Sequence, residues 1–133
     1  MKSKCLFPAI MAGFLLFLFC EHLVVNAAQN NKEELMEEVL LKHYSTSFTK
    51  ITEGKAYYCE RINHMERLNG DSTIHKVETQ LITYEGAHNP PYDLYKIMLK
   101  DGPPGQGLEP EITILDVDME QDISAEQAKG ICN

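Results

Sequence analysis

The chain has 133 residues, with 12 Lys or Arg against 20 Asp or Glu and a formal net charge of −8 at pH 7. A surface so acidic repels phosphate backbones and anionic headgroups, which argues against nucleic acid as a partner and against binding to acidic lipid. The length suits one domain with a modest core and is short for two.

Met1-Lys2-Ser3-Lys4 is a charged start, Leu6 to Phe19 is almost unbroken apolar sequence, and Val25-Asn26-Ala27 ends on small residues. Together these have the three parts of a secretory signal peptide. The apolar run from Leu6 to Cys20 holds 15 residues, contains Pro8 and Gly13 and is followed by Glu21-His22, whereas a bilayer-spanning helix needs roughly 20. The expectation is a signal peptide over 1–27, cut after Ala27 or at Ala28, and a single secreted domain over 28–133 with no stable membrane insertion after cleavage. Losing Lys2, Lys4 and Glu21 would leave 10 basic and 19 acidic side chains, and the remainder carries no Asn-x-Ser/Thr acceptor. Cys5 and Cys20 depart with the signal, so Cys59 and Cys132 are left in an oxidising compartment. One intramolecular disulfide is the expected outcome, with an intermolecular bridge or free thiols as the alternatives.

The first element is predicted as a helix over 32–48. Asn31 is placed to cap it, Glu34 follows at capping-box spacing, and acids crowd the first turns, where the helix dipole favours them. Leu35, Met36, Val39, Leu40, His43, Tyr44 and Ser47 fall on one side of a 3.6-residue repeat, with Glu37, Glu38, Leu41 and Lys42 toward the other. Gly54 closes the connection. From Lys55 the period becomes two. Lys55–Leu68 and Thr73–Tyr84 flank Asn69-Gly70, a strong two-residue hairpin signal. Centring the turn on that pair sets Ile62 against Val77, Tyr58 against Leu81, Tyr57 against Ile82, Arg61 against Glu78 and Met65 against Ile74.

Ala87-His88-Asn89-Pro90-Pro91 reads as a loop, Tyr92–Lys100 as a strand and Asp101–Gly107 as a longer turn. Glu111–Met119 is the last strand, where the spacing of Ile112, Ile114, Leu115, Val117 and Met119 asks for a bulge or change of face near Leu115. Ser124-Ala125-Glu126-Gln127 is placed to cap a short helical turn ending at Gly130. One N-terminal helix followed by four antiparallel strands is an α+β layout, with the helix packed on one face of a four-stranded sheet and Cys59 tying down the tail.

Few groupings point to chemistry. In the two-residue-turn register His64 lies opposite His75 with Glu66 on the same face, a weak beginning of a metal site that lacks a third strong ligand. Asp116-x-Asp118-x-Glu120-x-Asp122 resembles the first half of a calcium loop. Gln121 and Gln127 stand where that loop needs its Gly and its bidentate Glu. A strand edge with alternating outward acids explains the same spacing. Ser45, Ser47, Ser72 and Ser124 lie in no Gly-x-Ser-x-Gly elbow. Neither an enzyme nor a cofactor is expected.

The segment from Asn31 to Tyr84, a helix and then a long hairpin with Glu66-x-Leu68-x-Gly70 at its tip, resembles the first half of a cystatin. In that family a Gln-x-Val-x-Gly tip enters the cleft of a papain-type protease. The resemblance implies a helix packed on an antiparallel sheet, and it makes Glu66, Arg67, Leu68, Asn69 and Gly70 a candidate protein-binding tip. This chain departs from the family pattern at several points. Glu66 and Leu68 replace Gln and Val, no glycine precedes the helix at Gln29-Asn30-Asn31, and the chain has no tryptophan for a second tip. The expectation is a secreted, non-enzymatic protein that binds an extracellular protein through a loop or sheet face. Cysteine-protease inhibition of cystatin type and carriage of a small hydrophobic ligand between helix and sheet stand as alternatives.

Overall fold

The computed structural model describes residues 31–104 and 110–132. The signal-peptide reading of 1–27 and the glycines of the 101–107 turn beyond Pro104 lie outside these residues. Contacts divide the chain into Met1–Glu38 and Val39–Asn133, and every strand among the described residues belongs to the second unit. In the first unit, residues 31–38 are helical.

Helix α1 covers residues 31–51, so Asn31, predicted as the cap, is already helical. The predicted end at 48 is also passed. Ser45 donates to the Lys42 carbonyl at 2.7 Å and Thr49 to the Ser45 carbonyl at 3.0 Å. The hydroxyls fold back onto their own helix instead of breaking it. The inward stripe is rotated from the predicted one: Tyr44 and Phe48 are buried, Leu40, Leu41 and Ile51 pack against them, and Val39 is exposed.

Four strands follow: β1 Tyr57–Arg67, β2 His75–Glu85, β3 Asn89–Pro104 and β4 Pro110–Ile123, then helix α2 Ala125–Cys132. They form one antiparallel meander in the order β1-β2-β3-β4, with β1 and β4 as its edges among the described residues. The predicted α+β class holds, with one N-terminal helix on a four-stranded antiparallel sheet and a short C-terminal helix added. The residue alternation of the strands builds the core. Val77, Leu81, Tyr95, Ile97 and Leu99 face α1 and meet Tyr44 and Phe48. The Phe48 ring stands edge-on to Tyr57 at a centroid distance of 6.0 Å. Burying each such large apolar side chain stabilises the fold by about 1.5–3 kcal/mol.

A second cluster of Ile82, Leu94, Ile123 and Ala128, with Tyr58, Tyr92, Ile131 and the disulfide packed against it, seats α2. Ser124 caps that helix in a reciprocal pair: the Gln127 amide donates to Ser124 Oγ at 3.2 Å, and the Ser124 amide donates to Gln127 Oε1 at 2.8 Å. The helix continues through Gly130, past its predicted end, and carries Cys132 to Cys59 with the two Cα atoms 5.3 Å apart.

Strand β3 begins at Asn89, ahead of its predicted start, and takes in the cis Pro90–Pro91 bond, so the connection shortens to 86–88. It also runs on to Pro104, past its predicted end at Lys100. The predicted irregularity in β4 is a bulge. Met98 pairs with Asp116 and Leu99 with Ile114, which leaves Leu115 as the extra residue and keeps Ile112, Ile114, Val117 and Met119 on the face of α1.

Candidate functional site

The β1–β2 hairpin is the first place to look for a binding surface. Leu68-Asn69-Gly70-Asp71 closes through the Asp71 amide on the Leu68 carbonyl at 2.9 Å, and Asn69 and Gly70 have φ of 54° and 73°. Positive φ at both central residues makes a tight primed turn, the use foreseen for this pair. The strands do not start directly beside it. The Leu68 amide bonds the Ile74 carbonyl at 2.9 Å, and the Asp71 carboxylate accepts from the Thr73 amide at 2.8 Å and its hydroxyl at 2.7 Å. Residues 71–73 are thus held as part of a longer loop, and the predicted register is overturned.

Ile62 pairs with Thr79, Tyr58 with Ile82, Tyr57 with Thr83, Arg61 with Gln80 and Met65 with Val77. Two bulges, at Cys59-Glu60 and at Asn63, shift the pairing further along β1. The first places Cys59, with φ of 56°, beside Tyr58 in the cluster under α2, where it meets Cys132. Glu66, Arg67, Asn69 and Gly70 are exposed and Leu68 is half-buried.

The register also separates the two histidines. His64 stands opposite Glu78, with its Nε2 3.8 Å from Glu66 Oε2, and His75 stands opposite Arg67. Lys76 holds Glu66 at 3.5 Å and Glu78 at 3.0 Å, so this face carries an ion-pair lattice. The expected His64–His75 pairing is therefore corrected. Among the described residues, no three His, Cys, Asp or Glu side chains come together as a metal group.

Two partly buried polar pins fix the ends of the sheet. The Tyr44 hydroxyl donates to Asp101 Oδ2 at 2.9 Å; burial, then that bond and the carboxylate charge, push the phenol well above its ordinary value. At the other end Lys55 Nζ meets Asp93 Oδ2 at 3.0 Å, and the Asp122 amide donates to Asp93 Oδ1 at 3.2 Å. Burial alone would raise the Asp93 carboxyl. The Lys55 ammonium, the Asp122 amide and the Thr83 hydroxyl outweigh it and hold the group below the usual carboxylate range. Both pins give these polar residues a structural role.

The free edge of β4 is different. Residues 115–122 are all exposed. On the face of α1, Val117 and Met119 pair with the buried Ile97 and Tyr95, yet they remain 38% and 41% exposed, and Leu115 at the bulge is 47% exposed. On the opposite face Asp116, Asp118 and Glu120 pair with Met98, Lys96 and Leu94. The strand order places β4 last in the sheet, in keeping with the expectation of a strand edge with alternating outward acids. No protein-family model matches this chain, and no curated protein or solved structure is significantly similar to it.

Proposed function

We propose that this chain is an extracellular, non-enzymatic protein-binding domain whose contact surface is the free edge of β4. The exposure of Leu115, Val117 and Met119 on a strand whose inner neighbours are buried carries the reading. Contiguous apolar residues left uncovered beside a complete core are the usual mark of an interaction surface. The leader-like residues 1–27 and a disulfide compatible with an oxidising compartment support the extracellular part.

The test compares the disulfide-bonded protein with a Val117→Glu/Met119→Glu double variant as immobilised baits in extracellular fluid. A saturable protein partner retained by the first and lost by the second, at unchanged melting temperature, is the expected result. Equal retention by both would move the contact surface elsewhere.

The Glu66–Gly70 tip, exposed except at the half-buried Leu68, supports a second reading, inhibition of papain-type proteases as the cystatin resemblance implies. Entry into a protease cleft would desolvate the Glu66 carboxylate at a cost of a few kcal/mol. The expected outcome is no inhibition of papain at micromolar protein. Tight inhibition that Gly70→Glu abolishes would favour this reading over the β4 edge.

A further inference from the structure

We infer that the β4 edge takes an extended partner segment in which Lys or Arg alternates with apolar residues, added as a fifth strand. The inference rests on the reading of this edge as a protein-binding surface and names the chemistry of the partner. Among the described residues β4 pairs with β3 on one side only and ends the sheet in the order β1-β2-β3-β4. An edge of this kind presents main-chain donors and acceptors to any strand whose side chains fit. Bulges bound its regular part: Leu115 is the extra residue at one end, and the pairing shifts again between Leu94–Glu120 and Tyr92–Ile123 at the other. Asp116 to Glu120 remain, a stretch of about 17 Å at strand rise.

Within that stretch the two faces differ completely. Asp116, Asp118 and Glu120 stand on one face, Val117 and Met119 on the other. Inside the sheet only Asp118 faces a cation, Lys96; Asp116 and Glu120 face Met98 and Leu94, which offer no counter-charge.

These charges select the occupant. A second copy of the chain is disfavoured because antiparallel self-pairing sets acid against acid in every registration. Centred on Asp118, it places Asp116 opposite Glu120 of the partner copy. Centred on Val117 or Met119, it opposes Asp116 to Asp118 or Asp118 to Glu120. Like charges directly opposite each other destabilise a strand pair. A strand reading basic, apolar, basic, apolar, basic reverses each of those terms and covers Val117 and Met119 with its apolar residues. The edge thus attracts one class of strand and repels its own copies. The net charge of −8 steers the same class of partner toward the domain.

The test uses two fluorescein-labelled, end-capped heptapeptides of equal composition with the disulfide-bonded protein. In one, Lys and Val alternate; in the other, the Lys residues are grouped at one end. At about 0.15 M salt, where exposed charges more than ~8 Å apart are largely screened, the alternating peptide is expected to bind at least about tenfold more tightly by fluorescence anisotropy. It should also protect backbone amides within 116–120 from hydrogen exchange. Asp116→Lys/Asp118→Lys/Glu120→Lys should reverse the preference toward an alternating Glu/Val peptide. Equal binding of the two Lys peptides, protection outside β4, or no binding would overturn the strand-addition inference. The Val117→Glu/Met119→Glu capture experiment reads the broader proposal separately. Partner loss there with no peptide binding here leaves a protein-binding edge that does not accept a strand.

Discussion

Glu53 shows how a single residue can hold a left-handed conformation against its own preference. The end of α1 is closed by the Glu53 amide on the Lys50 carbonyl at 3.4 Å and the Gly54 amide on the Thr49 carbonyl at 2.9 Å, with φ of 55° at Glu53 and 79° at Gly54. In this two-bond cap the first residue past the helix is the one that most favours glycine, and here it carries a side chain. Glu53→Gly is therefore expected to raise stability by about 0.5–1 kcal/mol, read as a higher urea midpoint at unchanged slope. Asp93 makes the opposite case, of a side chain that cannot be spared. Its carboxylate binds the Lys55 ammonium and the Asp122 amide. Losing the charge leaves weaker bonds in a buried place, so Asp93→Asn should cost about 1–3 kcal/mol at neutral pH. Because the folded carboxyl is held below its ordinary value, its contribution is complete above the unfolded carboxylate range near pH 4 and fades as pH falls through the lower folded value. Urea titrations of both proteins should show the gap closing only below about pH 4. A gap constant from neutral to strongly acid pH would rule out this charge as its source.

At the scale of elements, Gly70 and Gly130 separate backbone conformation from space. Neither has a heavy atom within 4 Å of the position a Cβ would take, but Gly70 has φ of 73° whereas Gly130 lies within α2 with no left-handed φ. Gly70→Val should destabilise by about 1 kcal/mol or more, because a β-branched residue resists the left-handed region. Gly130→Ala should be neutral or stabilising by up to about 1 kcal/mol. Equal melting shifts for the two would mean that the left-handed φ at Gly70 does not govern the turn. These elements also show what could be read from the sequence. Period-two alternation identified all four strands, and the glycine after asparagine located the turn, since both signals are local. The register was not local. It depends on Asp71 gathering Thr73 into the loop and on extra residues at Asn63 and Cys59-Glu60, and nothing in the alternation announces either. The error moved Tyr58 from Leu81 to Ile82 and parted His64 from His75. In α1, a broad apolar arc at helical period let Val39 be read as inward, whereas the seam is set by which residues the sheet can receive, Tyr44 and Phe48. The β4 surface was half legible. Its alternating acids already read as a strand edge, which the strand order bears out, but the exposure of Leu115, Val117 and Met119 on the other side was not announced by the alternation.

For the sheet-bearing unit as a whole, the disulfide decides how firmly the tail is held. α2 is eight residues long, and Ala128 is its only buried residue, so its own burial is slight. A helix this short is marginal in water without tertiary support. Cys59–Cys132 closes a loop of 73 residues that contains β2, β3 and β4. Chain-entropy reasoning gives a bridge of that span on the order of 4 kcal/mol, acting chiefly on the unfolded chain. Two consequences differ in reach. Cys59→Ser/Cys132→Ser should lower global stability by about 2–4 kcal/mol. It should also free α2 to open locally without unfolding the sheet, because Tyr44, Phe48, Leu81 and Ile97 form a separate cluster from the one α2 covers. Hydrogen exchange distinguishes the two effects. Amides of 125–132 should lose protection well beyond the global change, while those of β2 and β3 should fall only in step with it. Uniform loss across the sheet and α2 would instead show that the tail and the core unfold as one unit, with the bridge acting on the unfolded chain alone.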